Sequence, residues 1–130
     1  MRLLLDTHVW LWWISTPDRL GARALDLIAA RENQILLSAV SALEISIKST
    51  LGKLTLNEPP EEFVPRWAER THVHELPVDF RHALRAGALP LHHRDPFDRL
   101  LIAQALVESV PILTADRQLS AYAVEILPAQ

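Results

Sequence analysis

No cysteine occurs anywhere in the 130 residues. Disulfides, a thiol nucleophile and thiolate metal sites are excluded together, and a reducing compartment fits. Any metal would have to be held by Asp, Glu or His. No run approaches the roughly 20 apolar residues of a membrane span. Residues 1–5 faintly imitate a signal peptide, but Asp6 and His8 interrupt them and no small-residue cleavage site follows. These absences predict a cytoplasmic protein with no membrane contact. Excess positive charge is missing too: the net charge is −3, which at first argues against a nucleic-acid partner. Repeats, low-complexity segments and linker-like stretches are also lacking, so residues 1–130 read as a single domain. A hydrophobic fraction of 49% excludes a disordered chain.

Two apolar runs end abruptly in an acid. Leu3-Leu4-Leu5 stops at Asp6, and Pro111-Ile112-Leu113-Thr114-Ala115 stops at Asp116. Continuous apolar runs of this length read as strands buried on both faces. As parallel neighbours they would deliver both carboxylates to the sheet edge where α/β proteins bind ligands. Between them, residues 34–38 and 73–76 read as further strands, and 124–127 as a last edge strand closed by Pro128. Helices are expected over 8–14, 19–31, 41–51 (stopped by Gly52), 61–70 (begun by Pro60), 79–86 (ended by Gly87) and 96–108, with a helical turn over 116–122. Alternating strands and helices predict an α/β fold with a mostly parallel central sheet.

Five acids fall where strands end or helices begin: Asp6, Glu44, Asp95, Asp98 and Asp116. Each has a structural explanation of its own. Glu44 lies three residues after Ser41, the capping-box spacing. Asp95-Pro96-Phe97-Asp98 is a strong helix start, with Asp at the cap, Pro in the first turn and a second Asp facing the helix dipole. Asp116 could cap its own turn. Together they carry a different meaning, because all lie on one edge of a parallel sheet. The helix behind Asp98 is apolar nearly all round, so Asp98 should sit in a cleft. Several carboxylates in one cleft repel each other unless a hard divalent cation with oxygen ligands joins them; Mg²⁺ or Mn²⁺ is the natural occupant. Such a site suits phosphodiester hydrolysis by activated water. Removing these five negative charges from the net −3 leaves +2 on the remainder, so overall charge does not exclude a nucleic acid.

The chain resembles the PIN-domain ribonucleases, and among them the VapC-like toxins of bacterial toxin–antitoxin pairs. The segments carrying the resemblance are Leu4-Leu5-Asp6-Thr7-His8, Ser41-Ala42-Leu43-Glu44-Ile45 with Leu51-Gly52-Lys53-Leu54, His92-His93-Arg94-Asp95-Pro96-Phe97-Asp98-Arg99 with Leu101-Ile102-Ala103, and Leu113-Thr114-Ala115-Asp116. The resemblance implies a three-layer α/β/α sandwich and a Mg²⁺- or Mn²⁺-dependent endoribonuclease with catalytic, metal-holding acids at Asp6, Glu44, Asp98 and Asp116. It makes Asp95 an accessory metal carboxylate and Thr114 a support for the Asp116 loop. It further implies an RNA substrate, a cognate VapB-like antitoxin and a homodimer.

Other residues are weighed beside these. His92 and His93 could touch phosphate or metal, but a polar loop before a helix cap is ordinarily just solvated. Lys48, four residues after Glu44, can pair with it along the helix. Arg94, Arg99 and Arg117 flank the acids and could hold an RNA backbone. Trp10, Trp12 and Trp13 cannot all face one core, so at least one is expected exposed as a stacking platform or partner anchor. A signalling receiver domain competes as a Mg²⁺-binding fold of similar size. It needs an acceptor Asp on a middle strand and a late Lys, however, and no Lys follows Lys53. A housekeeping RNA-processing role on the same fold is the second alternative, and six His residues leave His-based ribonuclease chemistry formally open.

Overall fold

The computed structural model describes residues 1–92 and 95–130. Among these residues five strands form one sheet: β1 (Arg2–Leu5), β2 (Gln34–Ser38), β3 (His74–Leu76), β4 (Ile112–Thr114) and β5 (Ile126–Pro128). Their order is β3-β2-β1-β4-β5, and every pairing is parallel. The chain moves outward from β1 to β3, then crosses back to lay β4 on the other side of β1. The order therefore reverses between β1 and β4, and a crevice opens at their carboxyl ends.

Among the described residues, six helices cover the sheet: α1 (Thr7–Ser15), α2 (Ala22–Ala29), α3 (Ala39–Thr50), α4 (Pro60–Arg70), α5 (Phe80–Ala88) and α6 (Pro96–Glu108). The pleat of β1 explains the layers, because successive side chains point to opposite faces. Leu3 and Leu5 enter a core with Val9 and Trp10 of α1, Ala24 and Ile28 of α2, and Phe63 of α4. Leu4 enters a second core with Ala86 of α5 and Leu101, Ile102 and Ala105 of α6. All three leucines are fully buried, each contributing about 2 kcal/mol by burial. The result is the expected α/β/α sandwich. Helix α3 lies across the sheet's carboxyl edge, sending Val40 into one core and Ile45 into the other.

Several element boundaries differ from the sequence expectation. Helix α2 is shorter than 19–31, because Pro17–Arg19 form a 3₁₀ turn and Gly21 is the cap. Helix α3 starts before Ser41: Ser38 is its cap, its hydroxyl accepting the Val40 N–H at 2.9 Å. Helix α5 runs through Gly87 to Ala88. The last strand is Ile126–Pro128 rather than 124–127, and Pro128 is tolerated there because β5 is an edge strand. Buried Gln104 of α6 accepts from the Ser38 hydroxyl and donates to the Pro77 carbonyl at 3.2 Å, which fixes α6 against β2. Among the described residues no helix is long and apolar enough to cross a membrane.

Candidate active site

A pocket of about 370 Å³ opens at the carboxyl end of the sheet, lined by Asp6, Glu44, Asp95, Asp98 and Asp116 together with His8, Lys48 and Lys53. All five acids singled out from the sequence are therefore in one place.

Each carboxylate is set by its local structure. Asp6 ends β1 and caps α1. Its Oδ1 accepts the Thr7 N–H at 2.8 Å, and its Oδ2 accepts the Thr114 hydroxyl at 2.7 Å. The Thr7 hydroxyl lies 2.8 Å from that of Ser41, tying the start of α1 to α3. Glu44 is buried in α3, held by the Lys48 ammonium one turn on. It has no capping-box role, because Ser41 lies inside the helix. Asp95 does cap α6, accepting from Phe97 N–H at 2.8 Å and more loosely from Asp98 N–H at 3.4 Å. Asp98 is half-buried in the first turn of that helix. The N–H of Asp116 is received by Thr114 Oγ1 at 3.0 Å, and its carboxylate caps the next turn through the Gln118 N–H at 2.9 Å.

Electrostatics register the crowding. Burial, then the carboxylates of Asp95, Asp6, Glu44 and Asp116, push Asp98 up to about 7. Burial also raises Asp6, although His8, Thr114 and the Thr7 N–H pull the other way. Lys48 is held above its ordinary value, first by its hydrogen bond to Glu44. Among the described residues, no three His, Asp or Glu side chains are drawn close enough together to grip an ion. Asp6, Glu44, Asp95 and Asp116 are instead each held back on a local partner. The donor set itself, all carboxylate oxygen with two members pushed toward protonation by burial and crowding, fits a hard divalent cation.

The structure adds residues that the sequence reading passed over. His8 takes the Ala115 N–H on Nε2 at 3.3 Å, with its Nδ1 3.5 Å from Asp6 Oδ2. It thereby links the ends of β1 and β4. Its place two residues after a strand-ending Asp was the available signal. Lys53 lines the pocket because Gly52, at φ +73°, turns the chain back after α3.

Other expectations are corrected. Arg99 does not present its guanidinium as a free phosphate clamp; it donates to the carbonyls of Ala86, Leu89 and Pro90, securing the end of α5. The His92 ring packs edge-on to Tyr122, 4.9 Å between centroids. His93 and Arg94 lie outside the described residues. Trp10 is fully buried with its indole N–H on Thr71. Trp12 and Trp13 are half-buried rather than exposed.

The PIN domain family model matches residues 3–125. Ribonuclease VapC22 of Mycobacterium tuberculosis is 31% identical over 121 residues, covering 92% of this chain and 91% of that one. Ribonuclease VapC16 of the same organism is 41% identical over 74 residues, 54% of this chain and 52% of its own. Among solved structures, VapBC2 from Rickettsia felis, bound to a DNA fragment from its promoter, superposes with a TM-score of 0.73. That match covers 100% of both chains at 15% identity, a likeness of fold.

Proposed function

The chain belongs to the PIN domain family, and from that premise we propose that residues 1–130 form a single-domain, divalent-metal-dependent endoribonuclease, the toxin of a toxin–antitoxin pair. The observation that carries this reading is the gathering of Asp6, Glu44, Asp95, Asp98 and Asp116 around one pocket at the switch point of a parallel sheet. Asp6, Glu44, Asp98 and Asp116 would hold Mg²⁺ or Mn²⁺, with Asp95 as an accessory ligand. Such an ion, when bound, activates water and stabilises charge on the phosphate and leaving oxygen.

The chain's own groups do the rest. Thr114 holds Asp6 and the Asp116 loop in register. Lys48 neutralises Glu44, and Lys53 supplies positive charge on the same wall for the substrate's phosphates. Water attacks phosphorus in line and the 3′ oxygen leaves, so the products carry a 5′-phosphate and a free 3′-hydroxyl. The 2′-OH takes no part. The receiver-domain alternative loses its support, since every carboxylate here comes with a neighbour rather than as a lone acceptor.

Resemblance to VapC-like toxins, together with the 31% identical ribonuclease, supports a cognate VapB-like antitoxin covering the pocket and the Trp-rich helix α1. It also supports a homodimer working in the cytoplasm. Digestion of a short labelled RNA, with product ends read by mass spectrometry, tests the chemistry. The reading requires 5′-phosphate and 3′-hydroxyl ends and arrest by EDTA. A 2′,3′-cyclic phosphate, or full activity in EDTA, overturns it in favour of His chemistry.

A further inference from the structure

Away from the acidic pocket, two adjoining clefts of about 520 and 500 Å³ run between α1, α2 and α4 and share Ile14, Trp67 and Arg70. Their chemistry is opposite to that of the active site. Three guanidiniums line them, Arg31, Arg66 and Arg70, against a single carboxylate, Glu58, which Arg66 already pairs at 3.1 Å. Arg31 and Arg70 are exposed, and neither meets a carboxylate among the described residues. Arg70 lies over the Trp67 indole, 5.1 Å from its centroid, and Trp13 lines the same groove.

In a chain of net charge −3, this is a concentrated patch of cations and aromatics. Guanidiniums beside half-buried indoles match a phosphodiester backbone with unstacked bases, because the cations meet phosphates while the Trp13 ring and the Arg70 guanidinium lying over Trp67 offer flat surfaces to bases. We propose that this groove is a second RNA-binding surface, holding a single-stranded stretch of the substrate outside the acidic pocket. Helix α1 joins the two regions: His8 and Leu11 line the pocket, Ile14 and Ser15 the groove. Its nine residues span about 13 Å, so one RNA strand can occupy both. The acidic pocket repels phosphates until a cation is bound, whereas the groove attracts them at all times. The groove therefore supplies affinity, and the pocket supplies chemistry.

The inference rests on RNA being the substrate, and its test keeps the two readings separate. Binding of a labelled single-stranded RNA, longer than the pocket alone can hold, is followed by fluorescence anisotropy in EDTA over a salt series. Arg31→Gln/Arg70→Gln should weaken binding about tenfold and flatten the plot of log K against log salt by about 0.7 for each phosphate no longer neutralised. Arg85→Gln, on exposed α5 across the sheet, should change neither. An abasic strand of equal length should bind more weakly than its base-bearing counterpart, because it cannot stack. Unchanged affinity and slope in the double variant overturn the inference, even where the wild type cleaves RNA normally. Loss of a partner protein's binding with RNA binding intact overturns it in favour of a protein-docking groove. A wild type that neither binds nor cuts RNA overturns both readings.

Discussion

The Thr114 hydroxyl donates to Asp6 Oδ2 at 2.7 Å while accepting the Asp116 N–H at 3.0 Å. One buried side chain thus sets the spacing of two acids that are 110 residues apart in the sequence. Thr114→Val keeps the shape and removes the hydroxyl, leaving a buried carboxylate short of a donor at a cost of about 1–3 kcal/mol. RNA cleavage should fall roughly ten- to a hundredfold, as for other residues that orient ligands. Thr114→Ser should restore most of both. Thermal melts and initial rates check this, and a fully active Thr114→Val would remove Thr114 from the positioning role.

Asp98 makes a pH prediction. Its folded-state pKa of about 7 lies above its unfolded value, so the native state binds the proton more tightly and loses stability as pH rises from about 4 to 7. In metal-free buffer, Asp98→Asn should match the wild type near pH 4 and become the more stable protein above pH 7. Allowing for partial exposure and screening, the gain is of order 1 kcal/mol, or about 4 °C in Tm. Paired melts across that range measure it. A difference that grows toward acid instead would reverse the assignment.

Binding of Mg²⁺ or Mn²⁺ should stabilise the fold by mass action, by about 2.7 kcal/mol at a hundredfold excess over Kd, and raise the melting temperature accordingly. Asp6→Asn and Asp98→Asn should lose most of that shift along with cleavage, while remaining folded. Ca²⁺ should produce a shift but little turnover, because its looser coordination holds reacting groups less well. Equal shifts in wild type and both variants would place the ion elsewhere.

Lys48 holds Glu44 as an internal counter-cation. Lys48→Gln should lower stability in EDTA, where the acids then repel unopposed, and enlarge the stabilisation that Mn²⁺ confers. Titration calorimetry with Mn²⁺ reads the same change as tighter binding. Weaker binding would mean that Lys48 orders Glu44 for the metal rather than competing with it.

Expression of the chain alone should arrest growth, and a co-expressed small antitoxin should rescue it. Asp98→Asn should be harmless at the same level. Harmless accumulation of cleavage-competent wild type counts against the toxin role and leaves the RNA-processing alternative standing.

Residues close in sequence determined much of this protein by themselves. The leucine run before Asp6 and the Ile112-Leu113 run before Asp116 specify buried parallel strands, because only such strands tolerate apolar residues on both faces. Asp95-Pro96 specifies a helix start because cap and ring chemistry act locally. Where local signals compete, neighbours in space decided. Ser38 caps α3 in place of Ser41, since Ser41 is drawn against Thr7. Arg99 was legible as a cation beside the acids, yet carbonyls at the end of α5 claim it. At least one of Trp10, Trp12 and Trp13 is expected exposed from the sequence, yet Arg19 lies 4.1 Å over the Trp12 ring, and Trp13 joins a groove made with α2 and α4. The acids could be named in advance because each ends a strand or lies in the first turns of a helix. Their crowding, which lifts Asp98 to about 7, arises only when β4 pairs with β1 and α3 and α6 close over that edge, because charge repulsion depends on distance through space and not along the chain.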